Sequence, residues 1–589
     1  MQISVIIATY NRCKLLSRTL PALWSQLFPS DEFEVIVVVD GSTDGTVEYL
    51  RTHSDHPNLR VIEQPNRGQA AAINAGLKAS RGELVLFLDD DILVGPTLVA
   101  EHARAPRTTN ACLVFGPVMI APGAQDPLAA DWARTFCDQF FATEVTTSPE
   151  LGWFGCMASA NSSAPRSVIL SVGGLDETFS RKNDIELGVR LLNAGFRFIY
   201  RPDAITHQIF EKTRRDVIED AGADAVAEIG LCRKHPALRA TSRIGRFAAK
   251  PWWKRLFGRV LSSSSLSITP LLRVLTSALT RLQRIHVFRR AALSLFQAQQ
   301  NIAAYRSAVA MTGSWTALQL EFGARLPILM YHSIGPLREG FDPFLTISPK
   351  MFERHLRWLS QHGFTPIHLS DWVDYVRSGK SLPDKPVLLT FDDAYCDTAE
   401  FGFPLLQKYG FKGTLFVVTD QIGGTNAWDL HLGLSEQKLM TADQISYWAE
   451  RGIEVGSHTK THPDLRITAP EQIADQMRGS RERLEQLTSK PVMALAYPYG
   501  YFTDESAEIA RRFYDAALTC DIGINTLSTD TLRLRRATVV PRYTLFDMWG
   551  SVTLGFNVLL IARIQLGLLA HRILDRFSVK PSARSERHP

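Results

Sequence analysis

Cysteine is scarce in this chain: there are seven in 589 residues, an odd number, scattered and without a Cys-x-x-Cys pair. That counts against both a disulfide framework and a cysteine zinc site, and makes a reducing compartment the expected setting. Uninterrupted apolar runs of the roughly 20 residues that a membrane-crossing helix needs are also missing. Arg273 and Arg281 break the candidate in the middle of the chain, and Arg563 stops the run from Met548 to Ala562. Met1-Gln2-Ile3-Ser4-Val5-Ile6-Ile7 enters a strand-like stretch with no basic start, apolar core or cleavage site of a signal peptide, so the expected location is cytoplasmic. Charge of one sign is lacking too. Lys and Arg number 65 against 60 Asp and Glu, a net +5, which gives no reason to expect a nucleic-acid partner. With 45% hydrophobic and 21% charged residues the chain is a folded one, and it is too long for a single ordinary core.

The clearest chemistry is present in two short stretches. Val387-Leu388-Leu389-Thr390-Phe391, opened by Pro386, reads as a buried strand that delivers Asp392 and Asp393 to its C-terminal edge. Further on, Ser457-His458-Thr459-Lys460-Thr461-His462 has two histidines four apart, a spacing expected to put both imidazoles on one side of a helical turn. Two nitrogens and one carboxylate oxygen can then converge on a divalent ion, with positions left for water and substrate and a second carboxylate kept free. Alone, the Asp pair could be a turn or a helix cap and the His pair polar surface. Two His and one carboxylate also suit an iron oxygenase, against which the adjacent free Asp392 argues.

Together these stretches resemble the NodB-like polysaccharide deacetylases, from about Leu326 to Tyr543. The resemblance implies Asp392 as general base and Asp393, His458 and His462 as ligands of a zinc-like divalent metal. Pro327-Ile328-Leu329-Met330-Tyr331-His332 reads as a strand ending on a histidine, and no Leu-x-His motif of the common form is found between Leu326 and Tyr543. This resembles the permuted branch acting on poly-N-acetylglucosamine, and implies His332 as general acid. Ala496-Tyr497-Pro498-Tyr499-Gly500 corresponds to the family's R-x-P-Y-G loop with Ala496 in place of Arg, which leaves Arg535 or Arg536 to orient Asp392 and implies the Tyr499 amide as an oxyanion donor. The implied architecture is a distorted (β/α) barrel of about seven strands, Gly413 to Val418 among them.

The first third of the chain is a different α/β unit. Ile3 to Ala8 and Glu34 to Val39 are β-rich runs separated by a helical pattern through Leu15, Leu16, Leu20 and Leu23, a β-α-β opening with a parallel sheet. Asp40-Gly41-Ser42-Thr43-Asp44-Gly45-Thr46 follows as a turn able to approach a nucleoside, or simply to cap a helix. A third strand, Glu83 to Leu88, ends in Asp89-Asp90-Asp91, acids that repel unless a cation neutralises them. These segments, with Asn66-Arg67-Gly68 and Asn74-Ala75-Gly76, resemble family 2 glycosyltransferases of the GT-A fold. The resemblance implies Asp89 and Asp91 at a Mg or Mn ion that carries the donor, Thr9 and Asp40 near the nucleoside, His207 as a further metal ligand and Asp184 as the base of an inverting transfer. Asp184 and Glu186 could also merely favour a helix N-terminus. Val39 before Asp40 and Asn183 before Asp184 depart from the common pattern, and no Gln-x-x-Arg-Trp of processive synthases is found, which favours single-sugar transfer.

The expected organisation is a GT-A domain at 1–236, a basic helical connector at 237–324, a deacetylase domain at 325–545, and an apolar helix with a polar tail at 546–589. Within the connector, Lys250 to Arg259 interleaves cations with Trp252, Trp253 and Phe257, a pattern that suits peripheral contact with the inner face of a membrane or packing on either domain, and Ser262 to Ser265 reads as a hinge. The expected partners are a nucleotide-sugar donor, a UDP-sugar favoured, and a glycan or lipid-linked acceptor. The expected function is sugar transfer combined with metal-dependent N-deacetylation. The alternative is a deacetylase carrying a transfer-inactive glycan-binding module.

Overall fold

The computed structural model describes residues 1–105, 111–139, 141, 160–248, 250, 269–282, 285–336, 345–432, 435–541 and 543–555. Most of the Lys250 to Arg259 segment, the Ser262 to Ser265 hinge and the polar tail lie outside the described residues. The chain forms two compact units, one of Met1–Lys234 with Pro251–Ser314, the other of His235–Lys250 with Trp315–Pro589. The segment expected as a connector is therefore divided. Helices Thr269–Arg281 and His286–Thr312 belong to the first unit, and Arg243–Ala248 and Trp315–Phe322 to the second.

The first unit is built on a seven-stranded sheet. Its parallel part comprises β1 (Ile3–Thr9), β2 (Phe33–Asp40), β3 (Leu59–Gln64) and β4 (Leu84–Asp89), in the order β3-β2-β1-β4. All eight residues of β2 are buried, as expected of a strand covered on both faces. The helix Cys13–Trp24 buries Leu15, Leu16, Leu20 and Leu23, and Gly76 lets the helix Gln69–Ala79 approach β1 so closely that a Cβ there would sit 2.6 Å from Ile6 Cγ2. β5 (Ile92–Val94), β6 (Ala111–Phe115), β7 (Val118–Ile120), β8 (Ser162–Pro165), β9 (Arg197–Tyr200) and β10 (Thr206–Gln208) complete the unit, with β8, β6 and β9 extending the main sheet and β5-β10-β7 forming a small one. The strand expected third is thus the fourth. β3 escaped notice because its polar residues Arg60, Glu63 and Gln64 dilute the apolar signal between Pro57 and Pro65. The parallel register brings Thr9, Asp40 and Asp89 to one edge of the sheet.

The second unit is a curled, mostly parallel sheet. Its strands are β11 (Ile328–Tyr331), β12 (Ser333–Ile334), β13 (Thr346–Ile347), β14 (Thr365–Pro366), β15 (Pro386–Phe391), β16 (Gly413–Val417), β17 (Ile453–Ser457), β18 (Ala494–Ala496), β19 (Ala516–Leu518) and β20 (Ala537–Thr538). The order is β19-β18-β17-β16-β15-β11-β20, with β14 beside β15 and a separate β12-β13 pair. Leu534, just before β20, bridges Leu518 of β19, so the two ends of the order meet. An apolar core through Tyr331, Phe352, Phe391, Phe403 and Leu415 fixes the strands from one side. Met548 and Val552 of helix Leu545–Thr553 join that core, so this part of the expected apolar tail helix docks on the sheet. His332, Asp392 and His458 each follow directly on the C-terminal residue of their strand, and Tyr497, from which the Tyr499 loop starts, follows on that of β18.

Candidate active sites

In the second unit, two adjacent carboxylates are given different partners. Asp392 Oδ1 accepts a hydrogen bond from Arg536 Nη1 at 2.8 Å, and both side chains are buried. Arg536 is itself aimed by Nε donating to the Thr519 carbonyl at 2.9 Å. Burial by itself would raise the pKa of Asp392, but the Arg536 guanidinium beside it, as a charge and as a hydrogen-bond donor, leads the effects that hold the group below the usual carboxylate range. Asp393 has no such cation. Burial first, then the Asp392 and Asp429 carboxylates, push it well above that range.

Asp393 instead faces imidazoles. Its Oδ1, buried and without a hydrogen-bond partner, lies 3.5 Å from His458 Nε2 and 3.7 Å from His462 Nε2. His458 Nδ1 is hydrogen-bonded to the Ala496 carbonyl at 2.8 Å, which makes it the protonated nitrogen and turns an unprotonated Nε2 toward Asp393. Burial lowers the pKa of both histidines, that of His462 far below the ordinary value with His458 and His332 adding to the effect, so both are neutral. These three residues are the one group among the described residues in which three ligand-type side chains converge, with donor atoms within 4.8 Å of one another. An orphaned buried oxygen, two neutral imidazoles and spacings that a tetrahedral ion about 2 Å from each donor would span fit a divalent cation.

The two histidines do not share a helical turn as their spacing predicts. β17 ends at Ser457, and Thr459 and His462 take left-handed backbone at φ 66° and 60°. The Thr459 hydroxyl accepts from the His462 amide at 3.1 Å, and the Gln476 side chain accepts from the Lys460 and Thr461 amides, so side chains rather than a helical ladder hold the turn. Asp393 (φ 71°), Ala394 (φ 60°) and Tyr499 (φ 57°) are left-handed as well. Non-glycine residues pay for this conformation, and its concentration around one site is a feature of functional loops. The Tyr499 ring lies 4.4 Å from that of His462 on one side, and Trp428, which sequence reasoning missed, stacks on His462 at 4.8 Å. His332, just past the end of β11, is partly buried, with a buried, unpartnered Nδ1, and burial pushes its pKa down to about 4.

In the first unit the residues expected at the donor are brought to one edge, each already hydrogen-bonded to a neighbouring residue. Thr9 Oγ1 donates to Asp90 Oδ2 at 2.8 Å, and burial raises Asp90 to about 6 despite that bond. Asp40 accepts from Gln64 Nε2 and the Arg67 amide at Oδ1 and from the Gly68 amide at Oδ2, at 2.7 to 2.8 Å, so it pins the Asn66–Gly68 loop. Asp89 accepts from Gln69 Nε2 at 3.3 Å. Asp91 Oδ2 accepts from Gln208 Nε2 at 3.1 Å, whereas its Oδ1 is buried without a partner, and burial raises its pKa.

His207 is not brought to Asp91. Neighbouring residues of a strand point to opposite faces, so β10 turns Gln208 toward Asp91 and leaves His207 exposed. Asp184 sits half-buried in the first turn of helix Asn183–Asn193, which starts after Lys182 at φ 59°. Glu186, by contrast, is fully buried between Arg190 (2.7 Å) and Lys234 (2.6 Å), a structural anchor of that helix.

Comparison with known proteins agrees with this division. Residues 4–149 match the model of glycosyl transferase family 2, 84–293 that of glycosyl transferase family group 2, and 379–514 that of polysaccharide deacetylase. The Bacillus subtilis (strain 168) protein YxkH, which carries a provisional polysaccharide deacetylase name, is 30% identical over 231 residues, 39% of this chain and 76% of that protein. Validoxylamine A glucosyltransferase of Streptomyces hygroscopicus subsp. jinggangensis (strain 5008) is 33% identical over 218 residues, 32% of this chain, which spans about half (51%) of that protein. The poly-beta-1,6-N-acetyl-D-glucosamine N-deacetylase of Staphylococcus epidermidis (strain ATCC 35984) is 27% identical over 175 residues, 28% of this chain and 58% of that protein.

The buried Asp392–Arg536 pair yields a stability prediction. Arg536→Met strands a buried carboxylate and is expected to lower stability by about 3–5 kcal/mol, most of which Asp392→Asn in the same molecule restores. Hydrogen-exchange protection of β11 and β15 reads the effect. Equal losses in the single and double variants would mean that Arg536 acts through packing rather than through the charge of Asp392.

Proposed function

The chain belongs to the polysaccharide deacetylase family through its second unit and carries a family 2 glycosyltransferase domain in its first, and from that premise we propose a bifunctional carbohydrate enzyme. The first unit transfers a sugar from a nucleotide-sugar donor to a glycan or lipid-linked acceptor. The second hydrolyses the N-acetyl group of an amino sugar. The observation that carries the second activity is the unequal treatment of Asp392 and Asp393, one paired with Arg536 and the other facing two neutral imidazoles. The name of the Staphylococcus epidermidis relative supports an N-acetylated amino sugar as substrate.

Asp393, His458 and His462 would hold a zinc-like ion, which when bound polarises an acyl carbonyl and acidifies water. Asp392, its Oδ1 occupied by Arg536, is positioned to take the proton of the attacking water at Oδ2. His332 enters neutral, so it would receive the proton that Asp392 takes from the attacking water and pass it to the departing nitrogen. The Tyr499 amide, in its left-handed turn, would steady the developing oxyanion.

For transfer, Asp91 with its unpartnered Oδ1 and Asp89 beside it would grip a Mg or Mn ion shared with the donor's diphosphate. Thr9 and Asp40, already engaged with Asp90 and the Asn66–Gly68 loop, shape the nucleoside side of the pocket. Asp184, at a helix start between the buried Asn183 and Glu186, would take the acceptor hydroxyl proton in an inverting step.

Two experiments separate these roles. Asp393→Ala, His458→Ala and His462→Ala should each lose bound zinc and deacetylation together, while Asp392→Asn should keep zinc and lose about 10²–10⁴-fold in rate. Metal content by mass spectrometry beside acetate release decides it, and release of zinc by Asp392→Asn would contradict the division. In nucleotide calorimetry with Mg²⁺ or Mn²⁺, Asp91→Ala should weaken donor binding, whereas Asp184→Asn should keep it and abolish transfer. Unchanged donor affinity in Asp91→Ala would remove the transfer-site assignment.

A further inference from the structure

Helix Thr269–Arg281 is amphipathic in the wrong sense for a helix that only closes a core. Its inward side is set by the long helix His286–Thr312: Thr276, buried, accepts from Gln299 Nε2 at 2.9 Å, and Leu279 packs on the cluster around Phe296. Opposite that side, Leu271 is 60% exposed, Val274 66% and Leu275 43%, with Ala278 and Leu282 continuing the stripe at helical spacing. Ile285 and Val287, past the end of the helix, are more than half exposed as well. Side chains of this size gathered in one place are not the scattered apolar surface that folded proteins ordinarily show.

The charge around the stripe identifies what would cover it. From Pro251 to Ser314, the portion of the chain that returns to the first unit, there are eight Arg and one Lys and no Asp or Glu. Arg289 is taken by Asp131 at 2.9 Å. Arg273 and Arg281, both exposed, have no acidic partner among the described residues, and with Ser277 they form a polar row along one flank of the stripe. Apolar side chains beside unpaired arginines match a bilayer surface, where the former enter the acyl boundary and the latter meet anionic headgroups. Among the described residues no helix is long and apolar enough to cross a membrane, so the contact would be one of lying on the surface.

We propose that the outer face of helix Thr269–Arg281, through Leu271, Val274 and Leu275 flanked by Arg273 and Arg281, docks the protein on an anionic lipid bilayer. The proposal does not depend on either catalytic assignment, because none of these residues belongs to either site.

The test is co-sedimentation of the full-length protein with vesicles of phosphatidylcholine alone or with roughly 30% phosphatidylglycerol. The protein should sediment with the anionic vesicles and at least about tenfold less with the neutral ones, and added salt should reduce the binding. Val274→Asp with Leu275→Asp should weaken binding about tenfold or more, and Arg273→Gln with Arg281→Gln should abolish the preference for anionic lipid. Val274→Ser with Leu275→Ser, which adds no charge, guards against misfolding, as do circular dichroism and zinc content. Wild-type protein that ignores both vesicles, or Asp and Ser variants that sediment like wild type, would overturn the proposal. So would a monomer–dimer equilibrium in sedimentation velocity that the Val274 and Leu275 substitutions abolish without changing vesicle binding, since the face would then belong to a second copy of the chain.

Discussion

A single buried ion pair sets the two adjacent carboxylates of the second site apart. Two carboxylates side by side at a strand end cannot both stay ionised in a dry interior without cations. Arg536 satisfies Asp392 at 2.8 Å and lowers its pKa, and by that choice leaves Asp393 as the carboxyl without a cation of its own, raised in pKa and facing two neutral imidazoles. Breaking the pair would change more than one hydrogen bond, because the proposed division into base and ligand rests on which carboxylate Arg536 takes. The pair exists only because the segment running from Leu534 to β20 closes against both β19 and β11, and so sets Arg536 behind β15.

Backbone strain is the second constraint. Of the eight non-glycine residues in left-handed conformation among the described residues, Asp393, Ala394, Thr459, His462 and Tyr499 surround this one site, and Asn11 and Lys182 lie near the acidic sheet edge and at the start of the Asp184 helix in the first unit. A core of large aromatic side chains beneath β11 and β15 over-determines those loops. The strain is what lets β17 turn sharply enough for His458 and His462 to meet Asp393 without a helix.

Much of this was legible in the residues. The buried strand before Asp392, the adjacent carboxylates and the His pair are local patterns, and so are β1, β2 and β4, the last two with their acidic ends. What escaped depended on distance or on alternation. Arg536 could be narrowed only to two neighbours because its partner lies 144 residues away in sequence. Trp428 sits in the short 3-10 helix Ala427–Leu432, whose composition announces nothing, yet it forms one wall of His462. Gln208 rather than His207 reaches Asp91 because β10 is a strand, and without that assignment the two are indistinguishable. The helices after Thr269 return to the first unit by packing that no composition shift reveals.

Both catalytic proposals rest on carboxylates being kept apart by their surroundings, and the second unit states the case most sharply. The most direct measurement is an anomalous diffraction map at the zinc edge from crystals of the full chain grown with zinc. The account predicts one peak within bonding reach of Asp393, His458 and His462, with Asp392 still held by Arg536. An ion bridging Asp392 and Asp393, with Arg536 displaced from the pair, would contradict it.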